Sequence, residues 1–221
     1  MNRKLSFWYL SALLVALVPA LYLVREWSAL PAQVPVQFDL DGQPSRYGGR
    51  EALLLLCLGL PLGCWLLMSW LPRFDPKRRL LADSLNYQKL TFFLVMFLAV
   101  LACEMLYANT RGRLAPELLG YTLSGFFVLL GNYLTTVPPN YFVGIRTPWT
   151  LESPAVWTRA HRLGGRLFVG AGLLGLLLTA LLPAAWATPA VTGLVAGAAL
   201  TAAAASFVYF RRENGPAPVA S

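Results

Sequence analysis

The chain has 221 residues, of which 57% are hydrophobic and only 13% are charged, and its mean hydropathy is +0.57. These values exclude an ordinary soluble domain and indicate a protein whose solvent is lipid. The formal net charge of +8 does not indicate direct nucleic-acid binding, because the basic residues lie in short segments beside apolar runs. The composition therefore predicts an integral membrane protein.

Six apolar runs are each about 20 residues long, the length that crosses a hydrocarbon core of roughly 30 Å as a helix. The runs are continuous and lack the two-residue alternation of barrel strands, so the predicted fold is all-α. The first run is longer than the apolar region of a signal peptide and precedes no small-residue cleavage site, so we expect it to be retained. The predicted transmembrane helices cover residues 5–24, 52–71, 90–108, 118–136, 167–186 and 189–210.

The distribution of basic residues predicts the orientation of these helices. With a cytoplasmic N-terminus, thirteen of the 18 Lys and Arg residues fall in inside segments and five fall in outside segments. This asymmetry follows the positive-inside rule and predicts that both termini are cytoplasmic, which requires an even number of spans. The first two inside segments contribute Arg3, Lys4, Arg73, Lys77, Arg78, Arg79 and Lys89.

The first outside connection, residues 25–51, contains prolines that keep it extended and glycines that favour turns. Alternating apolar residues at positions 34–40 predict one strand or a hairpin arm on the membrane surface. A calcium loop that began at Asp39 would need Gly and Glu where Pro44 and Arg50 stand. We expect an ordered, solvated cap; the alternative is a weak contact with a ligand or a peptide.

The three cysteines, Cys57, Cys64 and Cys103, all fall within predicted helices. Cys57 and Cys64 share one helix face, but neither a CxxC spacing nor a nearby His accompanies them. We predict that the thiols are buried as small apolar groups. The sequence therefore indicates no metal site, no redox role and no cofactor.

Glu104 is the one acidic residue well inside a predicted span. An ionisable group within a membrane is a functional candidate, because burying its charge is costly. At about 1.5 Å per residue, however, it lies near the outer interface. We favour a structural role, in which Glu104 reaches headgroups or pairs with Arg25, Arg111 or Arg113, over an intramembrane polar site for a proton or an ion.

Small residues dominate parts of the last two predicted spans, at positions 170–175 and 193–205. Small side chains let helix backbones approach closely. We expect these residues to form a packing seam within the bundle; the alternative is the interface of a homo-oligomer.

The inside connection at residues 138–166 contains an unusual concentration of polar, cationic and aromatic residues. Its first half, up to Leu151, is too rich in Pro and Gly for a helix, and we predict a re-entrant or surface-lying hairpin. Ser153 and Pro154 are typical of an N-cap and a first helical turn, so a short interfacial helix is predicted to begin there. A stripe on that helix indicates anchoring to anionic lipid and consists of Arg159, Arg162 and Arg166.

His161, the only histidine, follows Trp157 by four positions on this helix. The spacing places both rings on one face, so we interpret His161 as a stacking or hydrogen-bonding partner. No nucleophile or metal ligand stands at a catalytic spacing, since Glu152 is the nearby acidic residue and no Cys lies in the loop. The sequence indicates that the protein is not an enzyme.

The run GNYLTTVPPNYFVGIRTPWTLESPAVWTRAHRLGGRLF, residues 131–168, resembles the signature of the SdpI immunity-protein family, in which GN precedes PNxFVGIRTPWTL and VWxxxHRLGG. The outside loop resembles the family's N-terminal domain of unknown function, LPxxVPxHFxxxGxPDxWG, but Tyr47 replaces the usual Trp and Gln37 the usual His. This departure argues against a His-dependent role of that loop. The matching positions that we take as signature or partner-binding residues are Asn132, Asn140, Tyr141, Phe142, Gly144, Arg146, Thr147, Pro148, Trp149, Trp157, His161 and Arg162.

The resemblance implies a multi-pass protein of the bacterial plasma membrane that protects the cell from a secreted, membrane-active peptide toxin. In the best-known system of the family, the protein also senses toxin and holds a small transcriptional repressor at the membrane. Two units are expected: residues 1–89 with the domain of unknown function, and residues 90–221 with four SdpI-like helices. The alternative function is that of a small transporter or a lipid-handling membrane protein.

Overall fold

The computed structural model describes residues 7–39, 42–75 and 82–214. Most of this part is helical, and one small antiparallel sheet lies between the first two helices. Some of the predictions concern residues outside these ranges, namely Arg3, Lys4, Leu40, Lys77, Arg78 and Arg79.

Seven helices and two strands follow one another in the described ranges. α2 contains a π-helical segment, Leu55–Gly59, just before Pro61, which has no N–H to donate to the preceding turn. The long helices are α1 (Phe7–Glu26), α2 (Ala52–Phe74), α3 (Leu85–Arg111), α4 (Pro116–Leu134), α6 (Pro154–Leu181) and α7 (Ala184–Glu213). The short elements are β1 (Gln33–Phe38), β2 (Pro44–Gly49) and α5 (Pro148–Glu152).

Five of these helices, α1, α2, α3, α6 and α7, are long and apolar enough to cross a membrane. The prediction of an all-α, polytopic membrane protein is confirmed at this level, with a two-stranded hairpin added. α4 occupies the fourth predicted span as a helix of 19 residues, but it is not one of those five. The count of six spans, their orientation and the division into two units stay predictions.

α6 corrects the predicted topology of the C-terminal half. The helix begins after Ser153, as predicted, but it continues without a break to Leu181. The predictions of a short interfacial helix and of a separate span at 167–186 are therefore wrong. The glycines between the two predicted helices do not interrupt α6, because α4 packs directly on them: a Cβ on Gly165 would lie 2.7 Å from the carbonyl oxygen of Gly131.

The break between the last two helices also lies earlier than predicted. α6 ends at Leu181 and α7 begins at Ala184, whereas the apolar pattern placed the new helix at residue 189. Pro183 accounts for the break because it has no N–H to continue α6. Pro189 is accommodated inside α7.

The long helices alternate in direction, so the bundle has two distinct ends. At one end, which we call the loop end, Ser153 Oγ donates to the Glu213 carboxylate at 2.8 Å. At the other end, the hairpin end, Asn109 Nδ2 of α3 donates to the carbonyl oxygen of Pro35 at 3.1 Å. The residues 138–153 that join α4 to α6 therefore lie at the opposite end of the bundle from the β-hairpin.

The β-hairpin forms an ordered cap, which confirms the hairpin version of the strand prediction. β1 and β2 pair antiparallel, with register shifts on either side of Gln37. Gly42 adopts a φ of +74°, which favours glycine, and its carbonyl oxygen accepts a hydrogen bond of 2.9 Å from Leu114 N–H. The guanidinium of Arg50 lies 4.8 Å from the centre of the Trp27 ring.

Buried side chains form separate groups on the two sides of the bundle. Leu23, Leu53 and Leu106 join α1, α2 and α3, whereas Phe168 and Ala198 belong to the group that joins α4, α6 and α7. Large apolar side chains cover the outward faces of the helices, as expected for surfaces that face lipid, among them Leu14, Leu67, Leu177 and Leu200.

The small residues of α6 and those of α7 lie on different surfaces of the bundle. A Cβ on Gly172 would lie 2.6 Å from the carbonyl oxygen of Ser124 on α4, so the prediction of an internal packing seam is confirmed for α6. Gly193 and Gly197 of α7 have open space on their Cβ side among the described residues. The seam prediction is wrong for this pair, which faces away from the bundle.

Candidate functional site

Asn140 organises the turn that follows α4. Its fully buried side chain donates to the carbonyl oxygens of Pro138 (2.7 Å) and Val143 (3.1 Å). Its amide oxygen accepts from the N–H groups of Phe142 (2.8 Å) and Val143 (2.7 Å). These four bonds use both donors and both lone pairs of the amide. Asn140 therefore fixes the backbone of this segment without a strand or a helix.

Gly144 and His161 fasten this turn to α6. Gly144 has a φ of +114°, which L side chains rarely adopt, and a Cβ there would overlap the His161 imidazole. The N–H of Ile145 donates to His161 Nε2 at 3.1 Å. Because Nε2 accepts, we assign the imidazole proton to Nδ1, which donates to the carbonyl oxygen of Trp157 at 2.9 Å. Both ring nitrogens are thus bonded to backbone.

Trp157 supports the other face of this histidine. The Trp157 and His161 rings stack with centroids 3.9 Å apart and an interplanar angle of 18°, as their four-residue spacing predicts. The buried indole donates from Nε1 to the carbonyl oxygen of Val137 at 2.9 Å. The stacked pair therefore joins the end of α4 to α6.

The short helix α5 follows the turn, and here the prediction of a helix-free hairpin is wrong. Thr147 and Thr150 cap the helix reciprocally: Thr150 N–H donates to Thr147 Oγ1 at 3.3 Å, and Thr147 N–H donates to Thr150 Oγ1 at 2.9 Å. Pro148 fits the first turn, where its missing N–H is not needed. The cap spacing in this segment was the signal that could have revealed α5.

α5 is held against α7. The hydroxyl oxygens of Thr147 and Ser206 lie 3.0 Å apart. The Trp149 ring contacts Phe207 and Phe210, with centroid distances of 4.9 and 6.4 Å. Trp149 Nε1 is buried and has no hydrogen-bond partner among the described residues. Apolar and aromatic packing therefore fixes this side chain.

Ser153 closes the connection by joining α6 to the end of α7. Its hydroxyl accepts the Val156 N–H at 3.2 Å, as predicted for the N-cap. It also donates to the Glu213 carboxylate at 2.8 and 3.0 Å. Sequence reasoning missed Ser206 and Glu213, because they lie 59 and 60 residues from their partners and no sequence pattern links them.

Residues 136–210, which contain this connection, α6 and most of α7, match the SdpI/YfhL protein family. The resemblance predicted from the signature run is thus confirmed for this segment. Residues 14–60 match a domain of unknown function, DUF1648. Immunity protein SdpI of Bacillus subtilis (strain 168) is 26% identical over 98 residues, which cover 44% of this chain and 47% of that protein. The matched region thus spans about half the length of that curated relative, and no solved structure matches the chain.

We define the SdpI loop as residues 138–153. The signature residues of this loop and of the helices on either side of it differ in exposure. Asn140, Trp157 and His161 are buried, and their polar atoms bond within the protein. Arg146, which is exposed, donates from its guanidinium to the carbonyl oxygen of Tyr141 at 2.9 Å. The half-buried members are Phe142, Gly144, Thr147 and Trp149, and the other exposed members are Asn132, Tyr141, Pro148 and Arg162. Asn132 lies on α4, outside the hydrogen-bonded turn.

Phe142 connects the SdpI loop to helices from the N-terminal half. Its ring packs against Met68 of α2 and Tyr87 of α3. The Tyr87 hydroxyl donates to the carbonyl oxygen of Met68 at 2.7 Å, which ties these two helices together beneath the loop. Phe142 is therefore a direct packing contact between the SdpI loop and this pair of helices.

An apolar cavity of about 320 Å³ lies between the SdpI loop and the bundle. Leu134, Val143, Ile145 and Phe168 are among the side chains that line it. The loop is thus held by hydrogen bonds at its edges, while the space beneath it is not completely filled. This arrangement gives the loop room to shift if those bonds open.

The exposed face of the SdpI loop and of the first turns of α6 is cationic. None of its arginines forms an ion pair within the described ranges. Arginine guanidinium groups bind phosphate and carboxylate well, so this face suits anionic headgroups or an acidic protein surface. Its members are Arg146, Arg159, Arg162 and Arg166, and the end of α7 adds Arg211 and Arg212.

Glu104 lies apart from the SdpI loop, in the part of α3 toward the hairpin end. The residue is 5% exposed, and its carboxylate faces α4, where it accepts a hydrogen bond from the Thr122 hydroxyl. The predicted ion pair is wrong, because the arginines at this end are exposed while the carboxylate turns into the bundle. Within the described part, no ion pair joins Glu104 to Arg25, Arg111 or Arg113.

The SdpI loop presents polar and cationic groups that can bind a partner. His161 has both ring nitrogens bonded to backbone, so neither is free to transfer a proton in this conformation. In the described residues, no three His, Cys, Asp or Glu side chains are placed to hold a metal ion. The free thiols of Cys57, Cys64 and Cys103 are buried or partly buried. That the protein is not an enzyme stays a prediction.

Proposed function

We propose that the protein is an immunity and sensing protein of the bacterial plasma membrane, which protects the cell from a secreted, membrane-active peptide toxin. The observation that carries this proposal is the SdpI loop, a hydrogen-bonded cap on the bundle that presents arginines outward. The similarity to a protein named Immunity protein SdpI supports the immunity part. The exposed surface formed by Arg146, Arg159, Arg162 and Arg166, which we call the arginine face, supports the sensing part, because it offers a surface for a partner.

In this proposal both termini and the SdpI loop are cytoplasmic, in six spans with α4 as the fourth. The distribution of Lys and Arg along the chain supports this orientation. The β-hairpin then faces outward and is the first part of the protein that a toxin meets. The two functional surfaces lie at opposite ends of the same helices.

α3 is the element best placed to connect these surfaces. Near the hairpin end, Asn109 of α3 donates to the backbone of Pro35. Near the loop end, Tyr87 of α3 packs against Phe142 of the SdpI loop. We infer that toxin at the hairpin shifts α3 and that Phe142 transmits the shift to the arginine face, where a cytoplasmic repressor with an acidic surface binds.

Expression in a toxin-sensitive strain tests the immunity part. Cells that make the wild-type protein should survive a membrane-active peptide of the type that related immunity proteins counter. The Asn140→Ala variant should not protect, because the turn of the SdpI loop loses four hydrogen bonds. Asn132→Ala is the matched control and should protect normally, since Asn132 is exposed outside the turn. Killing that is unchanged by wild-type protein confirmed in the membrane contradicts immunity.

A second experiment separates sensing from immunity. In a strain with a reporter under the repressor, Phe142→Ala should reduce the toxin response while leaving the protein in the membrane. Replacing Arg159 and Arg162 by Gln should release the repressor from the membrane fraction without changing the fold, because both side chains are exposed. If both variants respond like the wild type, the proposed path through the SdpI loop is incorrect.

A small transporter or lipid-handling protein is the second candidate function. Two apolar cavities, of about 410 and 320 Å³, favour it, since they could receive parts of a lipid. Flux or lipid scrambling in proteoliposomes that Arg146→Ala or Asn132→Ala abolishes would select this function. That the protein forms a homo-oligomer stays a prediction, and cross-linking of the purified protein would test it.

A further inference from the structure

A further apolar cavity of the bundle lies toward the hairpin end, between α1, α3 and α4. Its volume is about 410 Å³, within the range of sites for small molecules. Apolar side chains form most of its wall, and they include Val18 of α1 with Ala99 and Val100 of α3. It is distinct from the SdpI loop, which lies at the opposite end of the helices.

One polar atom of this cavity has no hydrogen-bond partner in the part of the chain that the structure describes. Glu104 lines the cavity together with Thr122, and the Thr122 hydroxyl donates to Glu104 Oε1. Glu104 Oε2 is buried and has no hydrogen-bond partner among the described residues. A carboxylate oxygen left this way in an apolar site is costly, and the hydrocarbon around it supplies no donor. A ligand with a hydrogen-bond donor would satisfy it.

The composition of the cavity selects the type of donor. A bare metal ion would need about six oxygen ligands, which Glu104 and Thr122 with the hydroxyls of Tyr22 and Tyr107 do not supply. An ammonium group binds a carboxylate through charge-assisted hydrogen bonds, which are about twice as strong as neutral ones. The tyrosine rings in the same wall also favour a cation.

We propose that this cavity binds a lipid-like amphiphile that carries a primary ammonium group. The ammonium donates to Glu104 Oε2, and the hydrocarbon body lies against Val18, Ala99 and Val100. The site goes beyond the immunity function and does not depend on it. Its placement in the outer leaflet follows from the proposed orientation, but its chemistry does not.

Photolabelling of the purified full chain tests this site. The protein is placed in nanodiscs of phosphatidylcholine and phosphatidylglycerol, which lack primary amines, and is labelled with a diazirine-bearing long-chain amine. Mass spectrometry should locate the label on the segments 15–22, 99–107 and 118–122. Dodecylamine should compete at least tenfold better than dodecanoic acid, because only the amine can donate to the carboxylate as a cation.

Two variants test the two parts of the site. Glu104→Gln should weaken amine competition about tenfold, while Glu152→Gln, the same change on the exposed loop, should leave it unchanged. Val18→Trp should also prevent labelling, since it fills the cavity from the half-exposed face of α1 and keeps the carboxylate. This second variant decides the question if Glu104→Gln does not fold.

The competitors also identify the source of the amine. If phosphatidylethanolamine in the nanodisc suppresses labelling, the ligand is a membrane lipid; if only dodecylamine does, it is a free single-chain amine. Either result supports the site. Equal competition by dodecanoic acid and dodecylamine, or labelling that neither Glu104→Gln nor Val18→Trp changes, would overturn it. Because the assay uses no toxin, a failure here leaves the immunity test separate.

Discussion

The SdpI loop and the Glu104 cavity both contain buried polar groups, but the two regions treat these groups in opposite ways. In the loop, Asn140 makes four hydrogen bonds and both nitrogens of His161 are bonded to backbone. In the cavity, Glu104 uses one carboxylate oxygen and leaves the other without a partner among the described residues. The buried signature residues therefore stabilise the loop itself. In the cavity, one carboxylate oxygen of Glu104 stays without a partner in the described part of the chain, as a ligand site would require.

This difference separates the signature residues that stabilise the loop from the residues that we propose contact a partner or a ligand. The buried signature residues hold the SdpI loop on α6 and α7, and they leave only their exposed neighbours, such as Arg146 and Arg162, for binding. Substitutions in the loop should thus act first on folding. Substitution of Glu104 should act on a ligand and hardly on folding.

The largest expected effect comes from Gly144→Ala. The new Cβ would overlap the His161 ring in a backbone conformation with a φ of +114°, so we expect a loss of about 3 kcal/mol in unfolding free energy. Thermal unfolding in detergent measures it. Gly125→Ala on α4, where a Cβ meets open space, is the control. Equal unfolding temperatures for the two variants would show that the loop is not pinned at Gly144.

Asn140→Asp should have the next largest effect. The side chain keeps its shape but loses both donors, and a carboxylate oxygen then faces the carbonyl oxygens of Pro138 and Val143. We expect a cost of about 2 kcal/mol, measured by the fraction that stays monodisperse on heating. The same substitution at Asn132, which is exposed, should be nearly neutral. A stable Asn140→Asp protein would mean that this turn forms without the amide.

His161→Leu should loosen the loop without unfolding the bundle. The N–H of Ile145 loses its acceptor and the stack on Trp157 is lost, at a cost of about 1 to 2 kcal/mol. Limited trypsin digestion should then cleave faster after Arg146, and mass spectrometry identifies that cut. Thr158→Ala, on the exposed side of α6, is the control. Cleavage of the variant at the wild-type rate would show that His161 does not hold the loop against α6.

The smallest expected effect on stability comes from Glu104→Gln. The amide can keep the hydrogen bond from Thr122 and removes a charge from an apolar site, so the free energy of unfolding should change by less than about 0.5 kcal/mol. Chemical unfolding of the Glu104→Gln and Asn140→Asp variants, measured in parallel with the wild type, compares the two changes in unfolding free energy. A loss as large as that of Asn140→Asp would place Glu104 with the structural residues and remove the contrast between the two regions.

The sequence predicts the helices well and their partners poorly. Continuous apolar runs reveal long helices because lipid demands them. The unbroken course of α6 cannot be predicted from the sequence, because Gly164 and Gly165 look like an interruption. In the structure Gly131 of α4 packs on Gly165, and Leu134 of α4 lies beside Gly164. Local cap spacing contains the signal for Ser153 and for α5.

The internal bonds of the candidate site depend on contacts that no local pattern encodes. Ser206 and Glu213 meet the loop across about 60 residues, and Thr122 meets Glu104 from another helix. The signature run marks which residues of the loop matter. It does not distinguish Asn140, which folds the loop, from Arg146, which faces outward.

Hydrogen exchange of the SdpI loop in nanodiscs tests the central claim most directly. The amides of Phe142 and Val143 donate to Asn140, and the amide of Ile145 donates to His161. We predict that these three exchange slowly in the wild type, although they lie outside any helix or strand, and that Asn140→Ala accelerates the first two while His161→Leu accelerates the third. Rapid exchange of all three in the wild-type protein would contradict a loop held closed by its own signature residues.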